Sequence, residues 1–447
     1  MKNYFSTLLN DPEIKSSLRI SLPLVFVELV NSLYSLADTF FVKDLGSEAL
    51  AAVGIAGYLL MLLQVFFTLF QTPLLILVSQ SIGAGYRDKT RLITGEILVE
   101  GSICVIFLSI IFYIVAPVFI AIQSGVAGLA FQYTLDYLRI RVAWFVIFFV
   151  SASFDIVFIA GGRSDISLIS NIIGLVSNII LDPIMIYGLA GFPRLGVAGA
   201  AWASVIASFL TIPIQLYYLG KLQLLPMRPG LFILPRKIID LGLPAFIERS
   251  VISLGNNIYA GIISRLGNTV MAAHNIGLRI ESIIYMPGFA FAMTASTIVG
   301  RHVGEGDFKR AKRIGEKVIY MGASLMGLLG VVVALSSYYI TTPFVPTSEI
   351  RELASLYLIL AGFSEFGLGL AMVSSGAIRG AGNTRLPFIT NTVSLLLFRV
   401  IPSLILVKSL GVLGPWIAMF IEVYARGIMA YTIFKRYFNQ LARRLIS

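Results

Sequence analysis

Asn178, Asp182 and Pro183 fall within two turns of one another in a run that is otherwise apolar. A carboxylate held in a low-dielectric surround costs about 2.5–3.5 kcal/mol, so Asp182 needs a partner or a job. Pro183 has no N–H and its ring pushes on the carbonyl of Ile179, which loses its helical donor. A carboxylate, an amide oxygen and a freed carbonyl are hard oxygen donors. They suit a proton or a sodium ion and not a soft metal. Asn171, seven residues before Asn178, extends the same helical stripe. A second stripe, Glu28, Asn31, Ser35 and Asp38, recurs at helical spacing. Two such stripes can face each other around a hydrated pocket, with Asp38, Asn178 and Asp182 as its cation ligands. Asn31 and Asp155 are accessory polar positions.

The second half carries Glu248, Arg249, Arg279, Glu281, Glu365, Arg399, Glu422 and Arg426. Both signs are present, so ion pairing is the first expectation, with Arg399 opposite Glu365 or Glu422. Glu281 and Glu365 are the candidates for a further proton or substrate site. His274 is expected to hydrogen-bond between helices. One cysteine, Cys104, and two histidines exclude a cysteine metal site and make zinc improbable. No Gly-x4-Gly-Lys-Ser/Thr loop occurs, so ATP is not the energy source. Neither Asp38 nor Asp182 sits in a Gly-x-Gly-Asp motif, so a membrane aspartyl protease is not supported. The expectation is a protein that is not an enzyme and holds no cofactor beyond a coupling ion.

The elements that place these residues are written in the composition. Of 447 residues, 57% are hydrophobic and only 13% charged, against about 25% charged in a soluble domain. Residues 49–86, 101–135, 195–220 and 318–348 contain no charged side chain at all. A hydrocarbon core of ~30 Å needs about 20 apolar residues per helix, and only helices or closed barrels satisfy their backbone in lipid. The runs are too long for barrel strands. They predict an all-α integral membrane protein with twelve spans, near 17–42, 50–78, 92–118, 131–159, 166–187, 196–219, 238–264, 270–300, 314–340, 350–377, 386–407 and 413–434. The net charge of +11 sorts by side. One set of loops holds most of the Lys and Arg, including Lys2, Arg87, Lys89, Arg228, Lys309 and Arg443. The alternate loops hold only Lys43, Arg194, Arg265, Arg351 and Lys408. That bias puts both termini in the cytoplasm of a multi-pass cell-membrane protein, and it leaves no basic patch for nucleic acid.

The chain also repeats itself at an offset of 221. Leu22-Pro23 recurs as Leu243-Pro244, Leu45-Gly46 as Leu266-Gly267, Ala51-Ala52 as Ala272-Ala273, and Gly83-x-Gly85 as Gly304-x-Gly306. The expected organisation is a six-helix lobe over 1–220, a cytoplasmic linker over 221–237 with Pro226, Pro229 and Pro235, and a second six-helix lobe over 238–447. Six is even, so the lobes are parallel repeats, a design used for alternating access. The acid pair is not repeated: Asp38 falls opposite Tyr259 and Asp182 opposite Ile401.

These residues resemble a known family. Leu33 to Thr39, followed by Leu45-Gly46 and Ala49 to Gly54, is similar to the first two helices of MATE (multidrug and toxic compound extrusion) transporters. Asn178-x3-Asp182-Pro183 and Gly196-Val197-x-Gly199-Ala200-Ala201 are similar to their fifth and sixth. Glu281-Ser282, Met286-Pro287-Gly288 and Gly300 to Gly306 resemble the matching second-half segment. The resemblance covers nearly the whole chain, and is greatest to archaeal and bacterial multidrug exporters with a first-lobe cation pocket. It implies a monomeric secondary antiporter that exports amphipathic or cationic organic compounds in exchange for H+ or Na+, within membrane lipid. It also implies that Ser204, where threonine is more usual, and Tyr137 join Asp38, Asn178 and Asp182 in that pocket. A lipid or lipid-linked sugar flippase of the same superfamily is the alternative, disfavoured by the membrane acids and by twelve spans.

Overall fold

Helix boundaries fall where glycine and charge interrupt the apolar runs. The computed structural model describes residues 11–124, 128–227, 235–345 and 347–446, and among these every regular element is helical. Lys2, Arg228 and the linker stretch 228–234, Pro229 included, lie outside the described residues. The first half forms α1 (Pro12–Val42), α2 (Ser47–Gly83), α3 (Arg87–Ser124), α4 (Gly128–Ala143), α5 (Phe145–Ala160), α6 (Ser164–Tyr187) and α7 (Val197–Lys221). The second forms α8 (Pro235–Ser264), α9 (Asn268–Glu305), α10 (Phe308–Thr341), α11 (Ser348–Gly380), α12 (Arg385–Leu410) and α13 (Leu413–Leu441).

Ten of the described helices are long and apolar enough to cross a bilayer on their own. α8, with Asp240, Glu248 and Arg249 along it, is not among them. The fourth expected span, 131–159, is bent: it comprises two helices, α4 and α5, that together are apolar enough to cross a bilayer and meet at 53° at Trp144 (φ −107°, ψ 17°). The bend separates α4, which carries Asp136, Arg139 and Arg141, from α5, whose one charge is Asp155.

The sequence repeat recurs in the backbone. Gly46 has φ 106° and Gly267 φ 110° at equivalent helix starts. Gly196 (φ 58°, ψ −132°) and Gly411 (φ 56°, ψ −134°) adopt one conformation, which a side chain would strain.

By internal contacts the chain forms two units, Phe26–Val78 with Tyr86–Ile239, and Met1–Val25 with Ser79–Gly85 and Asp240–Ser447. In the second unit, the start of α1 is held by charge: Lys317 Nζ lies 2.5 Å from Asp11 Oδ2 and 2.7 Å from Glu13 Oε2, and Arg313 also pairs with Glu13. Ser79–Gly85 is held by close approach. A Cβ on Gly83 would lie 2.0 Å from the Arg301 carbonyl oxygen, and one on Gly304 would lie 2.0 Å from that of Gln80. Gln80 and Arg301 are themselves repeat mates, so the two contacts are symmetric copies. The Gln80 amide donates to the Arg443 carbonyl (3.1 Å) and accepts from the Leu445 N–H (2.8 Å).

Outward faces are apolar. α1 exposes Leu22, Phe26, Leu29, Leu33, Leu36 and Phe40, and α3 exposes Ile103, Phe107, Ile110, Ile114, Val118 and Ile122. Stripes this long suit hydrocarbon and not water.

Candidate functional site

The unit of Phe26–Val78 and Tyr86–Ile239 gathers the first-half acids. Asp38 on α1 is 7% exposed, while Asn178 and Asp182 on α6 and Ser204 on α7 are fully buried. Asn178 Nδ2 donates to Asp182 Oδ1 one turn along (3.4 Å). Ser204 Oγ donates to Asp38 Oδ2 (3.4 Å). Tyr137 is buried on α4 and interacts electrostatically with Asp38 and Asp182. The two carboxyl groups act electrostatically on each other. Three buried oxygens in the cluster find no donor: Asp38 Oδ1, Asp182 Oδ2 and Asn178 Oδ1. Two ionised carboxylates in one buried cluster repel. A proton or an alkali cation bound to those oxygens would relieve that repulsion. Among the described residues no group of three or more His, Cys, Asp and Glu could cage a divalent metal.

The structure brings together Asp38, Asn178, Asp182, Ser204 and Tyr137. It does not bring in the accessory positions. Asn31 is exposed, and nothing is described of the Ser35 side chain. The α6 stripe divides: Asn171 Nδ2 donates to Asp155 Oδ2 (3.0 Å), and Gln215 Nε2 donates to Asp155 Oδ1 (3.2 Å). Asn171 thus serves Asp155, eleven residues along α6 from Asp182. α6 runs through Pro183 without a break.

Two residues near the pocket were not read from sequence. Tyr34, one turn before Asp38, donates its hydroxyl to the Ser204 carbonyl (3.4 Å). Arg141, one turn after Tyr137, places its guanidinium 4.4 Å from the Phe148 ring centroid and 5.9 Å from that of Tyr137. It acts electrostatically on Asp38, Asp182, Tyr34 and Tyr137. The spacing of four was the available signal for both. Glu96 and Glu100 on α3 repeat that spacing, with Glu96 fully buried.

The second-half charges resolve into distinct settings. Glu422 accepts from Arg399 (2.7 Å) and forms an ion pair with Arg426 (3.0 Å). Glu248 pairs with Arg379 (2.5 Å) and accepts from Asn391 (2.6 Å). Arg399 thus pairs with Glu422 and not Glu365. Its place comes from a π-helical turn at Leu395–Val400 within α12. Glu365 is fully buried, and neither of its carboxylate oxygens has a donor. Glu281 accepts from the Tyr357 hydroxyl. His274 departs from expectation: its Nδ1 has no hydrogen-bond partner. The ring instead packs edge-on to Tyr357 (centroids 5.0 Å apart) and Tyr259 (5.9 Å), and stacks on Trp416 (6.5 Å).

Comparison with known proteins bears on both halves. The MatE family matches residues 23–184 and again 244–405. Start and end are displaced alike, by the same 221 residues as the internal repeat. The chain is 27% identical over 433 residues to a probable multidrug resistance protein NorM of Thermotoga maritima, covering 95% of this chain and 92% of that one. It is 24% identical to the probable multidrug resistance protein YoeA of Bacillus subtilis, covering 91% and 90%. The fold is similar to that of a MATE crystal structure in the bent conformation (TM-score 0.88, 21% identity, 97% of each chain). It is equally similar to the Vibrio cholerae MATE transporter VcmN in its bent form (TM-score 0.88, 19% identity, 96% and 98%). With one family matching each half of a helical chain that repeats itself, the protein belongs to the MATE family of transmembrane transporters.

Proposed function

We propose that the protein is a secondary active antiporter, exporting amphipathic or cationic organic compounds across the cell membrane in exchange for H+ or Na+. It works as a monomer in lipid, by alternating access, with both termini in the cytoplasm. The observation that carries this is the buried cluster of Asp38, Asn178, Asp182 and Ser204, whose unpartnered oxygens a monovalent cation would satisfy. A bound cation drives export only if it favours one conformation over another. The coupling is then reciprocal, so substrate weakens cation binding by the factor by which cation weakens substrate binding. The relatives described as probable multidrug resistance proteins support organic compounds as cargo.

The test is transport in vesicles of purified protein, with proton and sodium gradients imposed separately. Uptake of a lipophilic cation such as tetraphenylphosphonium should follow one imposed gradient. Uptake indifferent to both would overturn the reading.

A further inference from the structure

Arg139 on α4 is a guanidinium in a membrane span without a carboxylate. Among the described residues its one partner is the Tyr113 ring of α3, whose centroid lies 5.1 Å from the guanidinium carbon. Its Nε is buried with no hydrogen-bond acceptor. Tyr113 in turn lines a cavity of about 270 Å³ beside the bend at Trp144. Ile106, Ile110 and Ile114 of α3 form one wall at helical spacing, and Ala143 of α4 and Val146 of α5 form the other. The three isoleucines belong to the exposed apolar face of α3, so the groove opens where hydrocarbon lies. Ser109 also lines it. Its side chain is only 7% exposed, and its Oγ finds no hydrogen-bond partner.

We propose that this groove binds an anionic phospholipid, with the phosphate on Arg139 and an acyl chain along the isoleucines. An unpaired charge at membrane depth is costly, so Arg139 needs an anion that the chain itself does not supply. A guanidinium matches a phosphate bidentately, and basic positions between membrane helices favour anionic headgroups. The Tyr113 ring holds the guanidinium beside the groove by cation–π contact. The same charge disfavours a cationic compound there. The order of the walls fits a lipid lying in one leaflet. α3 and α4 are successive helices joined through 125–127, so they cross in opposite directions. Inward from that connection come first Tyr113 with Arg139, then Ile110 with Ala143, then Ile106 with Val146. The charge therefore stands on the headgroup side, and the apolar stretch leads towards the bilayer centre. From Ile106 to Ile114 is ~12 Å of helix, less than half of the ~30 Å hydrocarbon core, so one acyl chain covers it from a single leaflet. The site lies on the lipid-facing surface and does not depend on the antiport reading.

The experiment is quenching of a bimane label by acyl-brominated lipid, with the full-length protein in phosphatidylcholine bilayers. In a Cys104→Ala background the label is carried at Ile103→Cys, which continues the isoleucine face one turn beyond Ile106, or at Leu328→Cys on α10 as the control. Both native side chains are exposed. Brominated phosphatidylcholine sets the baseline at each position, and brominated phosphatidylglycerol is the anionic probe. Relative to that baseline, half-maximal quenching at Ile103 should need about 5-fold less phosphatidylglycerol than at Leu328, the advantage of one cationic contact. Arg139→Gln should abolish the difference. Equal preference at the two positions would overturn the proposal, and so would a preference that survives in Arg139→Gln. Should Arg139→Gln fail to fold, Ile110→Trp, which fills the groove, should remove the preference, and its persistence there would overturn the proposal. The readout involves no transport, so it stands whether or not the antiport reading does.

Discussion

Gly83→Ala and Gly304→Ala should destabilise the protein by equal amounts. A Cβ on Gly83 would stand 2.0 Å from the Arg301 carbonyl oxygen and 2.6 Å from its carbon. On Gly304 it would stand 2.0 Å from the Gln80 oxygen and 2.7 Å from its carbon. Carbon–oxygen contacts close only to about 3.3 Å, so each methyl must part the two backbones by more than ~1 Å. The obstacle is backbone, which cannot rotate away as a side chain would. Overpacking of this kind costs about 1–3 kcal/mol, and small residues are what lets membrane helices approach so closely. Each variant should therefore lose ~2 kcal/mol. The double variant should lose less than the sum, because one widened gap accommodates both methyls. Gly54→Ala is the control: its Cβ would meet nothing within 4 Å, so stability should hold or rise slightly. The assay is denaturant unfolding of the purified protein, compared at the midpoint. Wild-type stability in both variants, or a cost at one glycine alone, would refute the symmetric close approach.

Glu422→Gln leaves Arg399 and Arg426 without their carboxylate inside the unit; the loss should be about 3–5 kcal/mol, read as a lowered unfolding midpoint. Among the repeat mates of the acid pair, Ile401→Ala alters an exposed position and should leave uptake intact. Tyr259→Phe removes the hydrogen bond to the Pro415 carbonyl (2.9 Å), costing about 1 kcal/mol of stability without uncoupling transport. In a Cys104→Ala background, single cysteines at the exposed positions Arg87 and Lys309 should resist impermeant thiol reagents in intact cells, while those at Arg194 and Ser348 should label. The reverse pattern would invert the orientation.

Much of this architecture was legible because hydrocarbon is an unforgiving solvent: unbroken apolar runs leave no alternative to helices. The 221-residue offset likewise located the two glycines that now pack as symmetric copies. Asp38, Asn178 and Asp182 were legible because polar side chains recur at helical spacing only where they share a face. The break at Trp144 was not, since neither proline nor glycine marks it. Which of Glu365 and Glu422 pairs with Arg399 was not legible, for a different reason. A π-helical turn shifts the register of α12, and the side-chain directions beyond it no longer follow a 3.6-residue period. Asn171 looked like part of the Asp182 stripe, but a stripe records a shared face and not a shared partner, and Asp155 claims it.

The most direct measurement is ion release on substrate binding. Tetraphenylphosphonium is added to detergent-solubilised protein in weak buffer, with a pH indicator and a sodium electrode reading the solution. Reciprocal coupling at the Asp38–Asp182 pair predicts release of the coupling ion by wild type, and none by Asp182→Asn protein that still binds the compound. Binding of the compound to wild type with no release of either ion, or equal release from Asp182→Asn, would contradict the account.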